Sequence, residues 1–206
     1  LHFEIRDSKS EKAVNPMFFG FDSQIKDTKK PVVMSLLVYP IDENATANQS
    51  KNPLMLNLSP HKDGTYLADK VLAMGKIGFG INTYDEYDVA YDKNGVFKVE
   101  SFLNGKPAFG YQFDTFSFDE GRFVNALIDY PRYKKMEQRV QKLFMKQPYS
   151  LSIIQAYKDN GIIEVLPNLT LAYRIEVSDF NQNKTIINIP IQYSAARAKD
   201  TLKLKK

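Results

Sequence analysis

Leu171-Ala172-Tyr173-Arg174-Ile175-Glu176-Val177 decides the fold. Apolar side chains alternate there with polar or small ones, and a period of two puts Leu171, Tyr173, Ile175 and Val177 on one face of a half-buried strand. Ile187, Ile189, Ile191 and Tyr193 repeat the pattern, and so do Ile77, Phe79 and Ile81, whose alternate positions are Gly78, Gly80 and Asn82. Between such runs stand Asp63-Gly64, Asn94-Gly95, Asn104-Gly105 and Asn160-Gly161. Gly and Asn adopt positive φ at little steric cost, so these dipeptides mark turns of an antiparallel sheet.

Outward from that stretch the chain reads as mostly β. Val71 to Thr83 and Val96 to Asn104 read as strands, with an acidic loop from Asp85 to Asp92 between them, and residues 40–53 read as a surface loop. Tyr173 to Ile191, with Asp179 and Asn183 in its hairpin, reads as the final strand pair. One segment breaks the rhythm. After Pro131, the run from Arg132 to Gln147 spaces Met136, Val140, Leu143 and Phe144 as one face of an amphipathic helix, with Lys and Arg opposite and Pro148 as a stop. The series resembles bacterial immunoglobulin-like domains: an antiparallel β-sandwich, here with an inserted amphipathic helix near residues 131–148.

Composition narrows the function. With 43% hydrophobic residues among 206, the chain can bury a sizeable core, and with no cysteine it has neither disulfides nor a thiolate metal site. No apolar run approaches the roughly 18 residues that span a bilayer. The net charge of +4 sits in residues 197–206, where Arg197, Lys199, Lys203, Lys205 and Lys206 face one acid, Asp200. A neutral body with a short basic tail is a poor match to a phosphate backbone, so nucleic-acid binding is not expected.

The first residues carry the chemistry. Read as a strand, Leu1, Phe3 and Ile5 share one face, and His2, Glu4 and Arg6 share the other. Leu1-His2-Phe3-Glu4-Ile5-Arg6, followed by Asn15-Pro16 and a hydrophobic stretch, resembles the end of the LytM or lysostaphin-like zinc metallopeptidases, whose last motif reads His-x-His-Phe-Glu. The resemblance implies that His2 is a zinc ligand with Glu4 behind it, and that the histidine before it and the His-x-x-x-Asp pair belong upstream. It implies a parent protein that hydrolyses peptide bonds of peptidoglycan with zinc, and export to the periplasm or envelope of a Gram-negative bacterium. The organisation that follows is a catalytic-domain remnant and linker over 1–25, a sandwich over 26–194 and a basic tail over 195–206. With a single ligand the segment is expected to be inactive and to bind no zinc itself, since a catalytic zinc needs three protein ligands. Peptidoglycan or a cell-envelope protein is the expected partner. The alternatives are a non-catalytic scaffold or activator of wall hydrolases, and a carbohydrate-binding module.

Weaker signals are read as structural. Asp85, Glu86, Asp88 and Asp92 lack the ligand alternation and glycine of an EF-hand and read as a solvated loop. Gly75, Gly78 and Gly80 do not form a dinucleotide-binding fingerprint and imply close packing. His61, in Pro60-His61-Lys62-Asp63-Gly64, reads as a turn residue.

Overall fold

A computed structural model of the chain describes residues 3–89, 92–146, 151–196 and 198–199. Its centre is one long strand, Val71–Tyr84, that belongs to two layers. At its start, Val71 to Ala73 pair in parallel with Ile191 to Tyr193 of the last strand, Lys184–Tyr193. From Gly75 onward the long strand pairs instead with Val32–Pro40 on one side and with Ile163–Val165 on the other. Gly75 makes the switch at φ +75, and a Cβ there would stand 3.0 Å from Ala45 Cα. Only glycine takes that conformation in that space without strain.

The first layer runs Ile154–Ala156, Lys106–Gln112, Lys98–Leu103, Thr170–Ser178 and Lys184–Tyr193, antiparallel throughout. The second runs Leu54–Leu56, Val32–Pro40 and the far part of the long strand. A continuous sheet thereby folds over on itself as a β-sandwich, and the alternation read from Leu171 to Val177 holds, with Leu171, Tyr173, Ile175 and Val177 all buried. Phe79, Ile81, Val99, Tyr111, Ile187 and Ile189 complete the same core.

Two segments differ from their sequence reading. The helix after Asp129 spans only Tyr130–Met136 and ends where Glu137 adopts φ +58. Val140, Leu143 and Phe144, placed by their spacing on a helical stripe, are buried in extended chain, where Gln141–Lys142 pairs with Ile81 and Gly80. Tertiary pairing overrides the local periodicity. Leu143 N donates to Phe79 O (2.8 Å), and the side-chain-free flanks of Gly78 and Gly80 receive Phe144 and Val140. The close packing expected of these glycines is thus real. Residues 40–53 are likewise not all surface: Thr46–Ala47 forms a short buried strand against Met74 and Ala73.

The N-terminal segment lies on the sandwich. Ala13–Val14 pairs with both Ile5–Arg6 and Thr115–Phe116. Asn15 caps the turn Pro16–Phe19 and also donates from Nδ2 to Phe113 O (3.1 Å), while Met17 is buried and Phe18 packs edge-on against Phe97 and Phe180. Among the described residues no helix is long and apolar enough to cross a membrane.

Candidate functional site

His2 lies outside the described residues. Glu4, just before the strand Ile5–Arg6, accepts from Arg6 Nε at 2.7 Å, and Arg6 in turn stacks its guanidinium on Phe118. His61 pairs with Asp63 in an exposed turn, as read. Among the described residues neither Glu4 nor His61 joins a group of three metal-ligating side chains.

The group that does form comes from three places far apart in sequence. Asp27 precedes the strand Val32–Pro40, Asp85 follows the long strand, and Asp179 opens the hairpin between Thr170–Ser178 and Lys184–Tyr193. One carboxylate oxygen of each lies within 4.8 Å of the others. All three side chains are buried, with 8%, 3% and 2% of their residues exposed, respectively.

Hydrogen bonds hold the three segments in register. Asn183 donates from its backbone to Asp179 Oδ1 (2.8 Å) and from Nδ2 to Asp179 Oδ2 (2.7 Å), and the same Nδ2 reaches Asp27 O at 3.2 Å. Thr185 Oγ1 donates to Pro31 O at 2.6 Å, and Lys29 N to Asp27 Oδ1 at 3.2 Å. The loop after Asp85 is tied to the linker in its turn: Asp88 accepts from Thr28 N (2.9 Å), and Lys29 Nζ donates to Tyr87 O (2.9 Å). The acidic loop is therefore not simply solvated, as its sequence implied. Its first member, Asp85, turns inward.

The electrostatics are those of like charges in a poorly solvated place. Burial first, and then the charges of Asp27 and Asp179, push the Asp85 carboxyl up to about 7. Asp27 is raised by burial and by Asp179, and Asp179 by burial against the opposing hydrogen bonds of Asn183. None of the ion pairs among the described residues involves these three acids, since Lys26 and Lys29 pair with Asp88 and Glu86. Asp85 Oδ1 is buried without any hydrogen-bond partner. Asp27 and Asp85 also line a cavity of 510 Å³, together with Thr83, Tyr87, Phe97 and Phe180.

Sequence reasoning missed this cluster because its members share no spacing. Asp85 reads with its neighbours in the loop and Asp179 with its hairpin, and no motif singles out Asp27. Neither a family model, nor a curated protein, nor a solved structure matches the chain. Fold and cluster together define a mostly β sandwich that carries a buried, all-carboxylate group where its N-terminal linker enters.

Proposed function

We propose that the chain is a non-catalytic accessory module of a zinc-dependent peptidoglycan endopeptidase, one that holds an upstream catalytic domain at a fixed angle to the sandwich. The observation that carries this reading is a set of exposed aromatic rings in the N-terminal segment: Phe3, Phe18, Phe19 and Phe21 are 63%, 52%, 56% and 36% exposed, with Phe3 and Phe21 in ring contact. A run of exposed aromatic rings is a surface that takes a protein partner. The segment bearing it is docked through Asn15, Met17 and the pairing of Ala13–Val14 with Thr115–Phe116, so what covers these rings is held against the sandwich. The motif around His2 supplies the identity of that partner, through its similarity to the last strand of LytM-type catalytic domains.

The test compares this chain with a version extended upstream through the whole catalytic domain, measuring bound zinc and release of peptide from purified peptidoglycan. The extended protein is expected to hold about one zinc and to cut, while the segment does neither. An extended protein that folds, holds no zinc and leaves peptidoglycan intact sinks the peptidase reading in favour of a scaffold that activates other wall enzymes.

A further inference from the structure

We propose that Asp27, Asp85 and Asp179 form a binding site for one hard divalent cation of the calcium class, which clamps the N-terminal linker to two loops of the sandwich. The inference is independent of the peptidase reading and stands on three observations. The donor set is entirely carboxylate oxygen, the chemistry that hard cations select and that zinc and copper do not. The donors already converge, their oxygens lying within 4.8 Å of one another on segments that hydrogen bonds from Asn183 and Thr185 hold in place.

The third observation points to a ligand by itself. Asp85 is only 3% exposed, one of its carboxylate oxygens lies within 4.8 Å of the other two carboxylates, and its Oδ1 has no hydrogen-bond partner. A buried carboxylate oxygen left unpaired is costly, and no basic side chain among the described residues offsets the three acids. A cation with two positive charges satisfies that oxygen and offsets the repulsion in one step.

The surroundings suit the remaining coordination. Calcium takes 6–8 oxygens, more than three side chains supply, and the cavity that Asp27 and Asp85 line admits water to complete the shell and gives the ion a way in. Magnesium, which demands a tighter octahedron and releases its waters reluctantly, fits such a dispersed set less well. Tyr87 lines the same cavity as Asp27 and Asp85. It is therefore a local reporter for a bound luminescent lanthanide.

In the test, the 206-residue chain is stripped with a chelator and titrated separately with calcium, magnesium and zinc, following heat of binding and thermal midpoint. Calcium sites of extracellular modules bind at roughly 0.1–1 mM. At about 10 mM calcium the folded-to-unfolded ratio is therefore expected to rise about 10- to 100-fold, a shift on the order of 3–10 °C. Asp85→Asn removes charge at nearly constant shape and is expected to fold without calcium and to lose its effect; Asp179→Asn is expected to lose it too, at some cost to the fold, since both Asp179 oxygens accept from Asn183. Should either fail to fold, terbium added to the unaltered protein supplies the second measurement. Its tyrosine-sensitised emission is expected to appear, to be displaced by calcium, and to weaken in Tyr87→Phe. Three results overturn the proposal: a folded protein that takes up no calcium, calcium stabilisation that survives both Asp→Asn changes, and zinc bound more tightly than calcium at this site.

Discussion

Phe79 and Tyr173 stack across the two layers of the sandwich, ring centroids 4.6 Å apart and planes 20° from parallel. Tyr173 OH is buried there with no hydrogen-bond partner, while Ser101 Oγ on the adjacent strand donates to Phe109 O (3.0 Å). Removing an unsatisfied polar atom while keeping the ring relieves a desolvation penalty. Tyr173→Phe is expected to be neutral or to stabilise the fold by up to about 1 kcal/mol, whereas Phe79→Ala costs about 3–5 kcal/mol. Urea unfolding of both variants checks this, and a Tyr173→Phe protein weakened by more than about 1 kcal/mol would mean the hydroxyl has a partner.

Gly78 is fixed by its neighbour rather than by its backbone. A Cβ at that position runs into the Phe144 ring, and one at Gly80 stands 2.9 Å from both Tyr39 and Val140. Overpacking of this kind costs about 1–3 kcal/mol or more. Gly78→Ala should lower the denaturation midpoint accordingly, and Gly78→Ala with Phe144→Leu should recover part of the loss. Independent, additive losses in the two changes would show that the contact is not shared.

Asp129 joins the short helix to the sheet. Its Oδ1 accepts from Arg132 N (3.2 Å) as the helix cap, and its Oδ2 accepts from the buried Tyr39 OH (2.9 Å). Asp129→Ala removes a cap worth about 1 kcal/mol and strands the Tyr39 hydroxyl at about 1–3 kcal/mol. A total loss of about 2–4 kcal/mol is expected. In Tyr39→Phe the same Asp129→Ala change should cost only the cap, which a double-mutant cycle reads directly.

Three buried tyrosines predict alkaline unfolding. Burial raises the phenols of Tyr111 and Tyr173 far above their ordinary range, and burial followed by the Asp129 charge does the same to Tyr39. The unfolded chain loses these protons near the ordinary tyrosine value of 10.0, while the native state keeps them. The native state then binds more protons, so stability is full below about pH 10 and falls as pH rises beyond it. Phenolate absorbance and far-ultraviolet circular dichroism, followed together, should show these tyrosines ionising only as the sheet is lost. Ionisation of all twelve tyrosines with the β signal intact would contradict the prediction.

Phe18 ties the linker to the sandwich through Phe97 and Phe180, with ring centroids 6.2 and 5.0 Å away. Aromatic pairs of this geometry contribute about 0.5–1.5 kcal/mol each. In Phe18→Ala the global midpoint should move little, but amide exchange across residues 13–19 should rise several-fold. Unchanged exchange there would mean that Asn15, Met17 and the pairing of Ala13–Val14 with Thr115–Phe116 hold the segment without Phe18.

The sequence by itself determined the strands whose two faces differ. From Leu171 to Val177 and from Lys184 to Tyr193 one face meets the core and the other meets solvent, so burial writes itself as a period of two. Of the turn dipeptides, Asn104-Gly105 and Asn160-Gly161 take positive φ at both residues and Asp63-Gly64 at its glycine, while Asn94-Gly95 takes it at neither. Only the tertiary structure decided the fate of Val140, Leu143 and Phe144. Their spacing fits a helical stripe, yet the unpaired edge of the long strand and the slots at Gly78 and Gly80 offer backbone hydrogen bonds and burial that a free helix lacks. The same holds for Asp27, Asp85 and Asp179, which chain folding alone brings together. A site made of one residue from each of three loops has no period and no spacing, so nothing local in the sequence marks it.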